Sequence, residues 1–206
     1  MSSETSVFER TYEDYLTRIA KIDLKAVEKM LGAKYSEGTI EIVLFETPYR
    51  VSAQGISDPG GDKPSLDVCV ALSKYLLMCP EETPVGENWV SYRDFKDTGP
   101  LTVYFENEVE RAIVRHFEGN LGSLETSCKT AGGYAPDIDP DYDAAIQFNA
   151  LPRIPLLLLY NDGDEEFPAK CSVLFKASAE KYLDGECLAM LGRLLFTRLR
   201  DASLVD

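Results

Sequence analysis

Apolar residues at the start of the chain recur at helical spacing: Phe8, Tyr12, Tyr15 and Ile19, then Leu24, Val27 and Leu31. Gly32 follows, and its freedom to adopt the left-handed conformation suits it to end a helix. The pattern predicts an N-terminal helical segment within residues 1–35, broken near Asp23, whose carboxylate can cap the second part. From Ile40 the period changes to two. Ile40, Ile42 and Leu44 face one way, and after Glu46, Thr47 and Pro48 the alternation resumes at Tyr49, Val51 and Ala53, which predicts a β-hairpin. The stretch from Ser57 to Pro64, rich in Gly, Pro and Asp, reads as loop. Leu66, Cys69, Val70, Ser73, Leu76 and Leu77 then line one helix face up to Pro80, beyond which the chain as far as Gly99 reads as a mostly irregular connection.

In the second half, Asn107 followed by Glu110 has the spacing of a capping box, and Val109, Ala112, Ile113, His116 and Phe117 continue as an apolar stripe that Gly119 can close. Glycines, prolines and aspartates between Gly132 and Asp143 predict a loop. Ala144 to Phe148, Ile154 to Tyr160 and Ala169 to Phe175 read as strands, the last two joined across Asn161 to Asp164 as a hairpin, with the middle strand apolar on both faces and therefore central. Asp184 is placed to cap a final helix whose Leu188, Leu191, Leu195 and Leu199 face the core, while Arg193, Arg198 and Arg200 sit toward its negative end. Helices and strands come in blocks without βαβ alternation. The expected fold is therefore α+β, a mostly antiparallel sheet with helices packed on it, in a single domain over residues 1–206.

Charge narrows the partners. The 206 residues carry 35 Asp and Glu against 21 Lys and Arg, a net of −14. Neutralising phosphates needs a basic face, so nucleic acid is not an expected partner. The first twenty residues lack the apolar core of a signal peptide, and the longest apolar run, Ile154 to Tyr160, is far short of the roughly 20 residues that span a bilayer. The expectation is a cytoplasmic protein with no membrane partner. The 5 cysteines, Cys69, Cys79, Cys128, Cys171 and Cys187, form neither a CxxC cluster nor a disulfide framework and read as reduced thiols.

Neither GxGxxG nor GxxxxGK occurs, which disfavours classical nucleotide binding, and a single His with scattered Cys does not form a zinc motif. The densest polar features are acidic: Asp137, Asp139, Asp141 and Asp143 in one loop, and Asp162, Asp164, Glu165 and Glu166 at the later hairpin. If the two loops meet, Asp143, Asp164 and Glu166 make a carboxylate set of the type that holds Mg²⁺ or Ca²⁺; if not, the clusters are solvated turns, which Asp favours. The first loop departs from an EF-hand, with Tyr142 where its Gly belongs and Phe148 where its bidentate Glu belongs. His116 can serve as base to a Cys nucleophile such as Cys128, or can be a hydrogen-bonded residue of the core beside Phe117. Arg153, between Pro152 and Pro155, can clamp an anionic ligand or pair with an acidic neighbour such as Glu165. Phe167, Pro168 and Ala169 lead into the next strand as packing.

The segment Leu151, Pro152, Arg153, Ile154, Pro155, followed by Asp164, Glu165, Glu166, Phe167, Pro168, Ala169 and then Leu174 and Phe175, resembles the domain-of-unknown-function family 3786. The similarity continues through Ala179, Tyr182, Leu183, Leu191 and Gly192. The family is largely one of anaerobic bacteria and archaea, and some members resemble fusions with an iron–sulfur domain. The resemblance draws attention to Arg153, Asp143 and the residues from Asp164 to Phe167, and it implies no particular reaction. Three functions follow as expectations. The first is an accessory domain of anaerobic metabolism that binds a small molecule, a cofactor or a protein partner through Arg153, Asp164, Glu165, Glu166 and Phe167. The second is a hydrolase or lyase using Mg²⁺ or Mn²⁺ held by Asp143, Asp164 and Glu166. The third is a structural subunit whose function is an interface.

Overall fold

The computed structural model describes residues 2–138 and 141–204, with side chains from Glu9 onward. Phe8, the first position of the N-terminal stripe, thus has a side chain outside the described residues. Helix α1 (Ser2–Ile19) and helix α2 (Leu24–Leu31) are separated at Asp23, whose Oδ1 accepts the N–H groups of Lys25 (3.1 Å) and Ala26 (3.2 Å). Gly32, at φ 64°, ends α2 in the left-handed conformation, with the Ala33 N–H donated to the Glu28 carbonyl and the Gly32 N–H to Lys29. Two distant side chains complete the helix end. Arg153 donates from Nε to the Met30 carbonyl (3.0 Å) and from Nη2 to that of Lys29 (2.8 Å), and the buried Tyr75 hydroxyl donates to Leu31 (2.8 Å).

The first sheet is an antiparallel meander in the order β1 (Lys34–Ser36), β2 (Thr39–Leu44), β3 (Thr47–Ser52) and β4 (Gly55–Ser57). The expected hairpin is its centre, but Thr47 and Pro48 belong to β3, opposite Leu44 and Val43. The turn is Phe45 and Glu46, both at positive φ (45° and 65°), a conformation that usually calls for Asn and Gly. Tertiary contacts hold it: the buried Phe45 donates its N–H to the Ala150 carbonyl (3.0 Å), and the Arg198 guanidinium lies 5.4 Å from the Phe45 ring centroid while bonding Thr47 Oγ1 (3.1 Å).

The second sheet runs β5 (Trp89–Ser91), β8 (Lys170–Lys176), β7 (Ile154–Asn161) and β6 (Ala144–Leu151), again antiparallel. As expected, β7 is internal, with Leu156 to Tyr160 all buried. The stretch after Pro80 is less irregular than its composition implies, because it contains β5 and a 3₁₀ turn (Tyr92–Asp94); three residues are too few to show a period.

Helix α3 (Leu66–Leu77) has the expected bounds, and α7 (Gly185–Ala202) is capped as expected by Asp184, whose Oδ1 accepts the Cys187 N–H (3.0 Å). The middle helices differ from expectation. Asn107 does not begin a helix: α4 (Gly99–Phe105) starts earlier, passes into a π turn (Glu106–Glu110) and continues as α5 (Arg111–Phe117). Asn107 sits mid-helix, its Oδ1 accepting from Arg111 (3.2 Å). Helix α6 (Leu121–Thr130), capped by Asn120, carries no strong stripe and was not anticipated by the periodicity. No helix among the described residues is long and apolar enough to cross a membrane.

An aromatic cluster fixes the 3₁₀ turn, the end of α4 and β8 relative to one another. Tyr92 stacks on Phe105 (4.4 Å, 8°), and Phe105 and Phe95 both meet Phe175 (5.9 and 5.7 Å). Helix α7 crosses beneath at Gly192, where an added Cβ would lie 2.5 Å from Phe105 Cε2 and 3.3 Å from Val109 Cγ1. Ala would gain about 0.5–1 kcal/mol of helix propensity there, whereas overpacking a filled core costs about 1–3 kcal/mol. Phe105 is held by Tyr92 and cannot swing aside, so Gly192→Ala is expected to destabilise the protein by about 1 kcal/mol or more in urea unfolding. Unchanged or increased stability would show that this crossing has slack.

Candidate functional site

A cleft of about 390 Å³ opens between the helical run α4 to α5 and the end of β8, lined among others by Arg93, Glu106, Glu110, Arg111, Lys170 and Cys171. Its floor is a consequence of where β5 stops. Trp89, Val90 and Ser91 pair with Lys176, Phe175 and Leu174, and the chain then leaves the sheet in the 3₁₀ turn, with the Ser91 N–H bonded to the Asp94 carboxylate (2.9 Å). The next outward-facing donor of β8, the Val173 N–H, has no strand beside it. It donates to Glu110 Oε1 (3.0 Å).

The π turn presents Glu110 to that edge. Its wider hydrogen-bonding loop, closed by the Arg111 N–H on the Glu106 carbonyl, leaves Val109 fully buried while Glu110 faces β8. Arg115 Nη2 donates to the Asn107 carbonyl within the turn (3.1 Å), and Arg111 pairs with Glu106 (2.6 Å). Burial pushes the Glu110 carboxyl above the ordinary carboxylate range; the Val173 N–H works against that shift, Glu106 adds to it, and Lys170 and Arg93 moderate it. A partly buried carboxyl with a raised pKa, at a π turn in a cleft with three cationic side chains, has the physical character of a functional group.

The acidic loops do meet. A second cleft of about 670 Å³ has Asp141, Asp143, Asp162, Asp164 and Phe167 around it, and Lys170 lines both clefts. The junction is made by backbone bonds: the Asp162 N–H donates to Asp143 Oδ2 (2.8 Å) and the Asp143 N–H to Asn161 Oδ1 (3.1 Å). Asp162 Oδ1 also accepts the Gly119 N–H (2.8 Å). Asp164 Oδ1 accepts the N–H groups of Phe167 (2.7 Å) and Glu166 (2.8 Å), which hold its carboxyl below the usual range. The expected triad of Asp143, Asp164 and Glu166 for Mg²⁺ or Ca²⁺ is not assembled. Among the described residues no three His, Cys, Asp or Glu side chains are placed to hold a metal ion, and backbone donors offset the carboxylate charge instead. Asp139 lies outside the described residues.

Arg153 is separated from this hairpin by the length of β7. Its turn precedes Ile154 and the acidic turn follows Asn161, so these 8 residues put them roughly 25 Å apart. The ion pair with Glu165 does not form, and one small ligand cannot touch both Arg153 and the group Asp164, Glu165, Glu166 and Phe167. Phe167 is not strand packing: it is 68% exposed at the mouth of the acidic cleft. His116 is likewise not in the core; it is exposed, with Nε2 2.8 Å from Ser203 Oγ. Cys128 is buried and its thiol is pushed up to about 12 by that burial, which removes the thiolate a nucleophile needs.

Glu110 was hidden because its spacing from Asn107 imitates a cap. A different signal was present: Phe105, Val109, Ile113 and Phe117 recur in steps of four, and in a straight α-helix each such step overshoots a full turn by about 40°. A stripe of fours stays on one face only if the helix widens.

The raised carboxyl gives a pH signature. Because the Glu110 pKa is higher in the folded than in the unfolded chain, its contribution to stability is full below the unfolded value and is lost as pH rises through the folded one. Glu110→Gln keeps an oxygen for Val173 and removes the titration. The stability of wild type minus that of Glu110→Gln should therefore fall with rising pH and then level off, measured by urea unfolding between about pH 4 and pH 8. A constant difference would contradict the burial argument.

No curated protein and no solved structure matches the chain. The family described as Domain of unknown function (DUF3786) matches residues 23–198, from the cap of α2 into the last turns of α7. The chain belongs to that family.

Proposed function

We propose that the protein is a binding domain for a small organic anion, received in the cleft between the π turn and β8 and acting as an accessory to the metabolism that makes or uses that anion. The observation that carries this reading is the meeting of Arg93, Arg111 and Lys170 around a partly buried Glu110 in a chain of net charge −14. Cations gathered into one concavity of an acidic protein attract an anion locally where the rest of the surface repels it. Arg111 is engaged by Glu106, whereas among the described residues neither Arg93 nor Lys170 forms an ion pair, so those two are available to a ligand. Burial disfavours the charged form of the Glu110 carboxyl, which lessens its repulsion of an approaching anion. The acidic hairpin supports a metal-dependent hydrolase or lyase less well, since its aspartates close turns.

Succinate is a simple probe. Millimolar succinate is expected to raise the wild-type Tm by a few degrees, roughly what occupying a site at ten to a hundred times Kd provides. The Arg93→Ala/Lys170→Ala double variant, whose side chains lie at the cleft surface, should fold normally and lose the shift. An equal shift in both proteins would place anion binding elsewhere.

A further inference from the structure

The shape of the cleft is that of a missing stretch of strand. In an antiparallel sheet the N–H and C=O of one residue point to the same edge, and alternate residues share that edge. On β8 the edge away from β7 is marked by Ala177, whose N–H goes to the Asn88 carbonyl, by Phe175 opposite Val90, and by Val173, whose N–H goes to Glu110. Cys171 has the same parity. Its backbone N–H and C=O therefore face the cleft, which Cys171 lines. Continued in register, β5 would carry Tyr92 past Val173 and Asp94 past Cys171, but the 3₁₀ turn takes both away. Glu110 fills the first vacated position, and no hydrogen bond from another described residue fills the second.

We infer that the anion received by this cleft is an N-acyl amino acid in extended form, whose amide N–H donates to the Cys171 carbonyl and whose carboxylate accepts the Cys171 N–H and lies against Arg93 and Lys170. The inference rests on the anion-binding reading and adds the amide to it. One donor and one acceptor of a strand residue are the complement of one extended residue: the amide N–H of the ligand donates to the Cys171 carbonyl and an oxygen of its carboxylate accepts the Cys171 N–H, while the acyl oxygen points the other way. Charge complementarity requires an anionic group beside that amide, because Lys170 directly precedes Cys171 and Arg93 lies across the cleft. Size limits the ligand to a small molecule: about 390 Å³ lies at the low end of metabolite sites, and Glu110 on the Val173 N–H blocks a longer strand from running on toward β5.

The test compares N-acetyl-L-alanine with propionate, which lacks the amide, with N-acetyl-L-alaninamide, which lacks the carboxylate, and with an acetylated pentapeptide ending in alanine. Binding is read from amide chemical shifts of the full-length protein. N-acetyl-L-alanine is expected to bind at least about tenfold more tightly than either partial probe, since each lost interaction is worth about that factor. Its largest shift should be at the Cys171 N–H, and Arg93→Ala/Lys170→Ala should weaken it to the level of the alaninamide. If propionate binds equally well and with the same dependence on Arg93 and Lys170, the amide pairing is wrong and the anion cleft stands. If no probe binds, or binding ignores the double variant, both readings fall. Tighter binding of the pentapeptide would overturn the small-molecule assignment and make this edge a peptide-addition site.

Discussion

The Val173 backbone N–H has to be paired, and the strand that would pair it ends at Ser91. Where the helix covers the sheet edge such a donor cannot be left without an acceptor, since an unmet backbone group costs about as much as several ordinary contacts gain, whereas the open cleft beside Cys171 lets solvent or a ligand meet the groups there. The chain meets this constraint with a carboxylate from a helix instead of a carbonyl from a strand. That choice requires the helix to bring a glutamate to the edge while Val109 stays in the core, which the π turn accomplishes, and it requires the helix to lie close to β8, which the Tyr92, Phe105 and Phe175 contacts and the bare Gly192 crossing permit. The consequence is a charge-bearing group in a partly dry place, with its proton affinity raised. Stability and candidate chemistry thus have one origin.

The same economy of backbone groups explains the arginines. Arg153 closes the carbonyl end of α2, and Arg198 packs on the Phe45 ring and bonds Thr47 at a turn whose two positive φ values are unfavourable for those residues. Burial lowers the pKa of Arg198, yet it stays charged, so the carbonyl of Leu44 and the hydroxyl of Thr47 serve as its partners. Both guanidiniums join distant segments, the first and last parts of the chain among them. Arg93 and Lys170, at the cleft beside β8, form no such bond among the described residues.

Elements governed by contacts within a few residues were legible in the sequence. Asp23 before α2, Gly32 after it and Asp184 before α7 act on donors and acceptors two to five positions away, and the α+β class followed from the blocks of helix and strand. What depended on distant partners was not legible. Arg153 reads as a ligand clamp until its acceptors, 123 and 124 positions earlier, are seen. β5 is a strand only because β8 lies beside it, and Glu110 carries no mark of its role apart from the run of fours around it. The acidic residues stood out in the sequence as two loops, but spacing could not show that Asp143 and Asp162 bond each other's loops or that Asp164 closes its own turn.

The candidate site depends on the bond between Glu110 and Val173. The direct measurement is a pH titration of glutamate side-chain carboxyl carbons by ¹³C NMR, followed together with the backbone amide of Val173. One glutamate signal, absent in Glu110→Gln, should titrate clearly above the ordinary value of about 4.3, with the Val173 amide proton shifting over the same pH range. A Glu110 signal that titrates at the ordinary value, or a Val173 amide that does not follow it, would contradict the account.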